Sequence, residues 1–171
     1  GRLQLEAGLA ALLTGMSRIA MEYSRNCAIP YISRVDAGTM ELVRGRGIEV
    51  ESSGDLVQRF EAVWDEHALA THRRASEALY RVKDRAFEAI AGRLHGGEAM
   101  TEYALQQQMA GWFEEEGLIS DSTPVVAAQE NAGDPHYLPN ERRARHIGAN
   151  ELVLLELWAK RKGDARAVYA D

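Results

Sequence analysis

The hydrophobic positions of residues 1–64 change their spacing several times, from the three- and four-residue steps of a helix to strand-like runs. Asp36 and Ser52-Ser53 are of residue types that cap helices. The predicted elements are a helix over residues 2–14, a strand over 17–23, a helix over 37–43, a strand over 48–51 and a helix that carries Leu56 to Trp64. This order predicts an α/β arrangement with a parallel sheet. Because two strands are too few to be stable alone, residues 1–64 are predicted to be the C-terminal part of a larger α/β domain.

The remaining residues predict a different order, in which two helices precede several strands. Apolar side chains recur at three- and four-residue steps from Glu66 to Leu94, which predicts one long helix with a single buried stripe. Thr101 is placed to cap a second helix that extends to about Glu116. A strand over residues 124–128, a loop over 131–139 and a hairpin over 151–171 follow. Helices followed by strands are typical of α+β folds, so residues 65–171 are predicted to be a second domain and the whole chain a mixture of α/β and α+β.

The terminal hairpin carries two acidic residues, Glu156 and Asp171, in strands of otherwise apolar composition. If the polar turn is centred between Gly163 and Asp164, Glu156 lies directly opposite Asp171. Carboxylates that face each other directly repel unless a cation or a shared proton lies between them. The pair therefore indicates a metal-ligand site, and two surface acids are the alternative interpretation.

Composition and charge narrow the class of protein. The chain has 171 residues, of which 46% are hydrophobic and 27% charged, values that are ordinary for a globular protein. The net charge of -6 disfavours broad binding to nucleic acids or to anionic membranes. No stretch approaches the run of about 20 apolar residues that a membrane-spanning helix needs. The one cysteine, Cys27, is typical of a reducing compartment, so a cytoplasmic location is expected.

The histidines give few candidates from their spacing alone. His67 and His72 are five residues apart on the predicted long helix, whereas two metal ligands on one helix face are four apart. Both are therefore predicted to lie on the helix surface. His136 lies in a loop rich in glycine and proline, where a histidine is usually solvated, and a role in a site is the alternative.

Five segments together resemble the pita-bread metallopeptidases, the superfamily of methionine aminopeptidase, aminopeptidase P, prolidase and creatinase. They are MEYSRNCAIPYISRVDAGTMELV (21–43), SSGDLVQRFEAVW (52–64), TEYALQQQM (101–109), NAGDPHYLP (131–139) and LLELWAK with VYAD (154–160 and 168–171). The resemblance is closest to the bacterial Xaa-Pro peptidase branch and is collinear over nearly the whole chain. It covers the end of the family's N-terminal domain and the first half of its pita-bread catalytic domain.

The resemblance implies a metal-dependent exopeptidase that acts on peptides with two divalent ions, manganese, cobalt or zinc. Asp171 matches the second of two metal-binding aspartates in the family's hairpin. Glu156 stands where the first is expected, although glutamate is one methylene longer. His136 matches a substrate-facing histidine that is not a metal ligand. The family's remaining ligands, a histidine and two glutamates, match no residue of this sequence.

The sequence is therefore expected to be an incomplete, truncated member of the family, with weak or no metal binding and no catalytic activity by itself. An open sheet edge and an exposed apolar face predict a dimer or a larger homo-oligomer. Two alternatives stay open. One is a metal-free, creatinase-like hydrolase, which the glutamate at position 156 favours, and the other is a non-catalytic binding or assembly module.

Overall fold

A computed structural model describes all residues from Gly1 to Asp171. The chain forms two compact units, Gly1–Val63 and Trp64–Asp171. The predicted identities of these units, as parts of two larger domains, stay predictions. No helix of the structure combines the length and the apolar character that crossing a bilayer requires.

The first unit follows the predicted α-β-α-β-α order. Its elements are α1 (Arg2–Leu12), β1 (Arg18–Met21), α2 (Ala37–Arg44), β2 (Glu49–Ser52) and α3 (Gly54–Glu61). β1 and β2 pair in parallel, with Ile19 opposite Val50, as the element order predicts. The Asp36 carboxylate accepts a hydrogen bond of 2.9 Å from Thr39 N and so caps α2. A small core of buried residues lies between α2 and the strands, formed by Met40, Val43, Ile48 and Val50.

The second unit begins with two helices. These are α4 (Glu66–His95) and α5 (Glu102–Glu115). Asp65 caps α4 through Ala68 N, and Thr101 caps α5 through Ala104 N. The buried stripe of α4 contains several alanines, of which Ala75, Ala78 and Ala86 are fully buried. Side chains this small allow α5 and the strands to approach the α4 backbone closely, which explains the dense core on this side of the helix.

Six short strands complete the second unit. They are β3 (Met100–Thr101), β4 (Leu118–Ile119), β5 (Val125–Ala128), β6 (His146–Ile147), β7 (Val153–Glu156) and β8 (Lys160–Arg161). They pair antiparallel as β3 with β6, β4 with β8 and β5 with β7. The helices and strands share one core, whose largest fully buried apolar side chains include Leu105, Met109, Leu118 and Val126. This mixture of helix and antiparallel strand confirms the predicted fold class.

The predicted pairing within the terminal hairpin is wrong. The outgoing strand β7 pairs with β5, so that Glu156 lies opposite Val125 and not opposite Asp171. The returning segment makes a single antiparallel bridge, in which Ala159 and Ala170 exchange backbone hydrogen bonds of 2.9 and 3.0 Å. The register is therefore two residues away from the prediction. Its physical cause is that β8 pairs with β4, which leaves the returning segment to be held by side chains of α4.

Candidate functional site

Glu156 lies at the end of β7 and is exposed, although the residues of the paired strand β5 are all buried. Along β7 the side chains alternate: Val153 and Leu155 pack against the core, whereas Leu154 and Glu156 are exposed. Glu156 makes no ion pair, and its carboxylate is thus free to bind another group. It lines a small cavity of about 60 Å³ together with Asn131, Asp134 and Tyr137 from the loop after β5. The structure therefore brings Glu156 next to the loop that carries His136.

Asp171 follows the Ala159–Ala170 bridge directly and is exposed. It lines a cavity of about 190 Å³ with Leu79, Tyr80 and Lys83 of α4 and with Leu157. Glu156 is not part of that cavity. The two predicted ligands thus border different cavities, and no group of three or more histidine, cysteine or acidic residues in the chain is arranged to bind a metal ion.

His136 is exposed and sits in a tight turn of the loop 131–139. The Asp134 carboxylate accepts a hydrogen bond of 2.9 Å from His136 N, and the Asp134 carbonyl oxygen accepts one of 3.0 Å from Tyr137 N. These bonds fix the backbone of the turn and leave the imidazole on the surface. The side chain can therefore reach a bound molecule without losing an internal contact.

Sequence reasoning missed the most heavily bonded side chain of this region, Glu102. It is the first residue of α5 and is fully buried. Its carboxylate accepts hydrogen bonds from Ala128 N at 2.7 Å, Tyr137 Oη at 2.5 Å and Arg145 N at 3.0 Å. Asn131 Nδ2 donates to both of its oxygens, at 3.0 and 3.1 Å. One carboxylate thus connects the end of β5, the loop and the approach to β6.

Tyr137 is the member of this cluster whose ionisation is most perturbed. Burial raises the pKa of its hydroxyl above the ordinary value of 10.0, and the hydrogen bond to the Glu102 carboxylate raises it further. The hydroxyl therefore stays protonated and remains a hydrogen-bond donor across the neutral pH range. Its position directly after His136 links the cluster to the candidate site.

The segment that leads to Asp171 is held by the first turns of α4. His67 Nε2 lies 2.9 Å from an Asp164 carboxylate oxygen, and His72 Nδ1 lies 2.7 Å from the Tyr169 carbonyl oxygen. Thr71 Oγ1 accepts a bond of 3.3 Å from Val168 N. His67 is exposed on the helix surface, as predicted, and His72 is half-buried. Each of them also binds the returning segment, which their spacing does not predict.

Two charged contacts strengthen the same attachment. Arg166 pairs with Asp65, the residue that caps α4. The backbone N–H of Arg166 lowers the pKa of Asp164, and the contact with His67 lowers it further. The backbone N–H of Ala68 lowers the pKa of Asp65, and Arg166 adds to that effect. Both carboxylates are thus stabilised in their charged form.

Two helices and three antiparallel strand pairs form the second unit, and the exposed carboxylate of Glu156 lies at the end of one of these pairs. The model of metallopeptidase family M24 matches residues 70–166, more than half of the chain, and the chain belongs to this family. The resemblance to the pita-bread metallopeptidases is thereby confirmed. A comparison with curated protein sequences gave no match.

Solved structures of several peptidases have a similar fold. The dipeptidase PepE of Mycobacterium ulcerans is 16% identical, with a TM-score of 0.65 over 96% of this chain and 39% of that chain. The aminopeptidase PepP of Pseudomonas aeruginosa is 20% identical, with a TM-score of 0.59 over 93% and 35%. A dipeptidase of Pyrococcus horikoshii OT3 is 23% identical, with a TM-score of 0.53 over 94% and 40%. At these identities the likeness shows the fold, and the chain spans about two fifths of the length of these structures or less.

Proposed function

We propose that this chain supplies part of the active site of a metal-dependent exopeptidase of the Xaa-Pro type. The observation that carries the proposal is the shared cavity of Glu156 and the loop 131–137, within the region that matches family M24. Glu156 makes no ion pair, and His136 is an exposed residue of the loop that borders this cavity, although it does not line the cavity itself. Peptides are the proposed substrates.

The side chains in this region are of the type that binds divalent ions, but they are too few to complete a metal site. Carboxylate oxygens suit hard divalent ions and are acceptable to manganese, cobalt and zinc. Glu156 and Asp171 make no ion pair in the structure, so neither has to break a contact in order to bind metal. Two carboxylates leave most coordination positions of two ions to other ligands, however, and these two border separate cavities.

The chain's own residues have distinct roles in the proposed reaction. Glu156 and Asp171 would hold divalent ions, which when bound polarise a carbonyl group and lower the pKa of a water molecule. His136 is not a ligand in this proposal. Its imidazole N–H donates a hydrogen bond to the substrate carbonyl oxygen as negative charge develops there. The Asp134 turn holds the backbone of His136 during this step.

We further propose that residues 1–171 alone bind metal weakly and do not hydrolyse peptides. Calorimetric titration with Mn²⁺ or Co²⁺ is expected to give a dissociation constant above about 100 μM, in the range of sparsely ligated sites. Submicromolar binding that Asp171→Ala abolishes would overturn this expectation. Glu141→Ala, which removes an exposed acid, serves as the matched control.

Line broadening by Mn²⁺ in NMR spectra locates any bound ion. The proposal predicts that sub-stoichiometric Mn²⁺ broadens signals of Glu156 and of the loop 131–137, and that Glu156→Ala abolishes the effect. Broadening confined to other acidic surfaces, and unchanged in Glu156→Ala, would refute the proposed site.

The separation of Glu156 and Asp171 into different cavities favours a second candidate, a metal-free hydrolase or a non-catalytic binding module. For these functions the Mn²⁺ experiment is expected to show no site-specific broadening. A peptide with proline at its second position would still shift signals of the loop 131–137 if the site binds peptides. Metal and peptide titrations on one sample thus separate the two candidates.

The chain is also proposed to self-associate. β7 pairs on one side only, with β5; Leu154 within it is 40% exposed, and Leu152 directly before it is 64% exposed. Open strands with exposed apolar side chains favour pairing with a second copy. Sedimentation velocity at micromolar concentration is expected to show a dimer or larger species, and a stable monomer would contradict the proposal.

A further inference from the structure

We infer that Glu102 is the positioning residue of the candidate site, because its buried carboxylate holds the segment 128–145 that carries His136. The inference rests on the proposed function, since it gives His136 a role toward a bound peptide. Glu102 itself is buried and does not border the cavity that Glu156 lines. Its influence on the site is exerted through the residues to which it is bonded.

The bonds of Glu102 fix both ends of the segment. At the first end, where β5 ends, Ala128 N donates a hydrogen bond of 2.7 Å to the carboxylate. At the other end, Arg145 N donates a hydrogen bond of 3.0 Å to the carboxylate. Glu102 N in turn donates a hydrogen bond of 3.0 Å to the Arg145 carbonyl oxygen. The buried carboxylate therefore holds both ends of the sixteen-residue excursion between these points.

Two further bonds hold the middle of the segment, on either side of His136. Asn131 donates from its side-chain amide, and Tyr137 donates from its hydroxyl. Both residues also border the cavity that Glu156 lines. Glu102 thus sets the separation between the cavity wall formed by the loop and the wall formed by β7.

The absence of a counter-ion makes this arrangement sensitive to change. Glu102 makes no salt bridge, and the guanidinium of Arg145 pairs instead with Glu130 and Glu151. A buried carboxylate without a cation depends on its hydrogen-bond donors to offset the loss of hydration. The loss of any one of these hydrogen-bond donors would leave the buried carboxylate less well compensated. The loop is therefore held in the one conformation that keeps all of them in place.

Glu102→Gln tests the inference because it keeps the shape of the side chain and removes its charge. Its amide N–H₂ group must occupy one of the two oxygen positions, where it faces the backbone N–H of Ala128 or of Arg145. Both groups are then donors, so that no hydrogen bond can form between them. Tyr137→Phe is a second, milder variant that removes one donor only. Glu115→Gln is the control, since Glu115 lies on the same helix and forms an exposed pair with Arg85.

Two measurements on the 171-residue chain without metal or peptide are decisive. Hydrogen exchange of the Ala128 and Arg145 amides in Glu102→Gln is expected to rise at least tenfold, while the α4 amides exchange as before. The NMR signal of the His136 imidazole is expected to shift and broaden in Glu102→Gln and in Tyr137→Phe, while those of His67 and His72 stay in place. A merely structural role would accelerate exchange throughout the unit and leave the His136 signal unchanged.

The possible outcomes all bear on the inference. Unchanged exchange and an unmoved His136 signal in a folded Glu102→Gln protein would overturn it. If Glu102→Gln does not fold, the decision falls to Tyr137→Phe, where an unmoved His136 signal overturns the inference and a shifted one supports it. No metal or substrate is used in these measurements. They can therefore contradict the role of Glu102 while the Mn²⁺ experiment supports the proposed metal site, or support it while the Mn²⁺ experiment contradicts that site.

Discussion

Cysteines placed at positions 159 and 170 are expected to form a disulfide bond spontaneously under mild oxidation. The two alanines are directly opposite each other and exchange backbone hydrogen bonds. Such pairs have Cα atoms about 5.5 Å apart, within the range of about 4.4–6.8 Å that a disulfide spans. The natural exposed cysteine, Cys27, is replaced by serine in every variant so that no other thiol competes.

The structure also allows an estimate of how much this bond stabilises the second unit. Joining residues 159 and 170 closes a loop of about 12 residues, for which the chain-entropy relation gives about 2.8 kcal/mol at 25 °C. With a urea m-value of about 1–3 kcal/mol/M, the unfolding midpoint is expected to rise by about 1–3 M on oxidation. Comparing the oxidised and reduced forms of one variant cancels the cost of placing sulfur at two buried alanine sites.

The alternative register supplies the refutation. A turn centred between Gly163 and Asp164 would place Ala159 opposite Val168, whereas in the structure these residues are diagonal neighbours. Diagonal positions in an antiparallel pair are about 7–8 Å apart, too far for an unstrained disulfide. The register with Ala159 opposite Ala170 would be wrong if Ala159→Cys cross-linked efficiently with Val168→Cys and not at all with Ala170→Cys. Glu156 would then face Asp171 after all.

Three further predictions concern the stability of the second unit. Leu105→Ala, at a fully buried position, is expected to lower the free energy of unfolding by about 2–5 kcal/mol in urea titrations, while Leu69→Ala at a partly exposed site of α4 changes it by much less. Thr101→Ala removes the cap of α5 and is expected to cost about 1 kcal/mol in the same assay, whereas Thr101→Ser, which keeps the hydroxyl, should restore most of it. The pKa values of Asp65 and Asp164 are lowered in the folded state, so their contribution is present above the ordinary pKa of 3.8 and is lost as pH falls through the folded values. Urea midpoints measured from pH 5 downward should therefore fall less steeply in the double variant Asp65→Asn/Asp164→Asn than in the natural protein.

The helices could be predicted because their signals are local. Asp36 and Thr101 each accept a hydrogen bond from the backbone N–H three residues later, as their residue types predict. The predicted cap at Ser52-Ser53 is different, because Ser53 precedes α3 without a side-chain cap bond. The buried stripe of α4 extends from Ala68 to Ile90, about six turns, so its period is unambiguous. Local chemistry of this kind is written in consecutive residues, and a single sequence is enough to detect it.

The register of the terminal hairpin could not be predicted in the same way. Turn residues at Gly163 and Asp164 suggested a symmetric hairpin, but side chains almost a hundred positions earlier, on α4, hold the returning segment. Contacts at that sequence separation leave no periodic trace. The five-residue spacing of His67 and His72 disfavours a shared metal ion but does not indicate that each side chain binds an oxygen atom of the returning segment.

Glu102 was missed because an acid in the first turn of a helix has an ordinary explanation, the favourable interaction with the helix dipole. The structure shows the position to be fully buried, which that explanation does not require. The useful signal was the concentration of donors in the loop that follows β5, where Asn131 and Tyr137 lie within seven positions of each other.

The excursion between Ala159 and Ala170 has a consequence for how relatives of this chain can be recognised. Its ends are joined by a single bridge, and the interior includes only the short strand β8. The free energy of closing such a loop depends weakly on its length, by about 0.6 kcal/mol for each doubling. Loop closure therefore sets little limit on the length of this stretch, and the main limit comes from Asp164, Arg166 and Val168, which bind α4 and the residue that caps it. A search pattern that fixes the number of residues between Glu156 and Asp171 would overlook proteins that share the fold, whereas one that lets this interval vary would retain them.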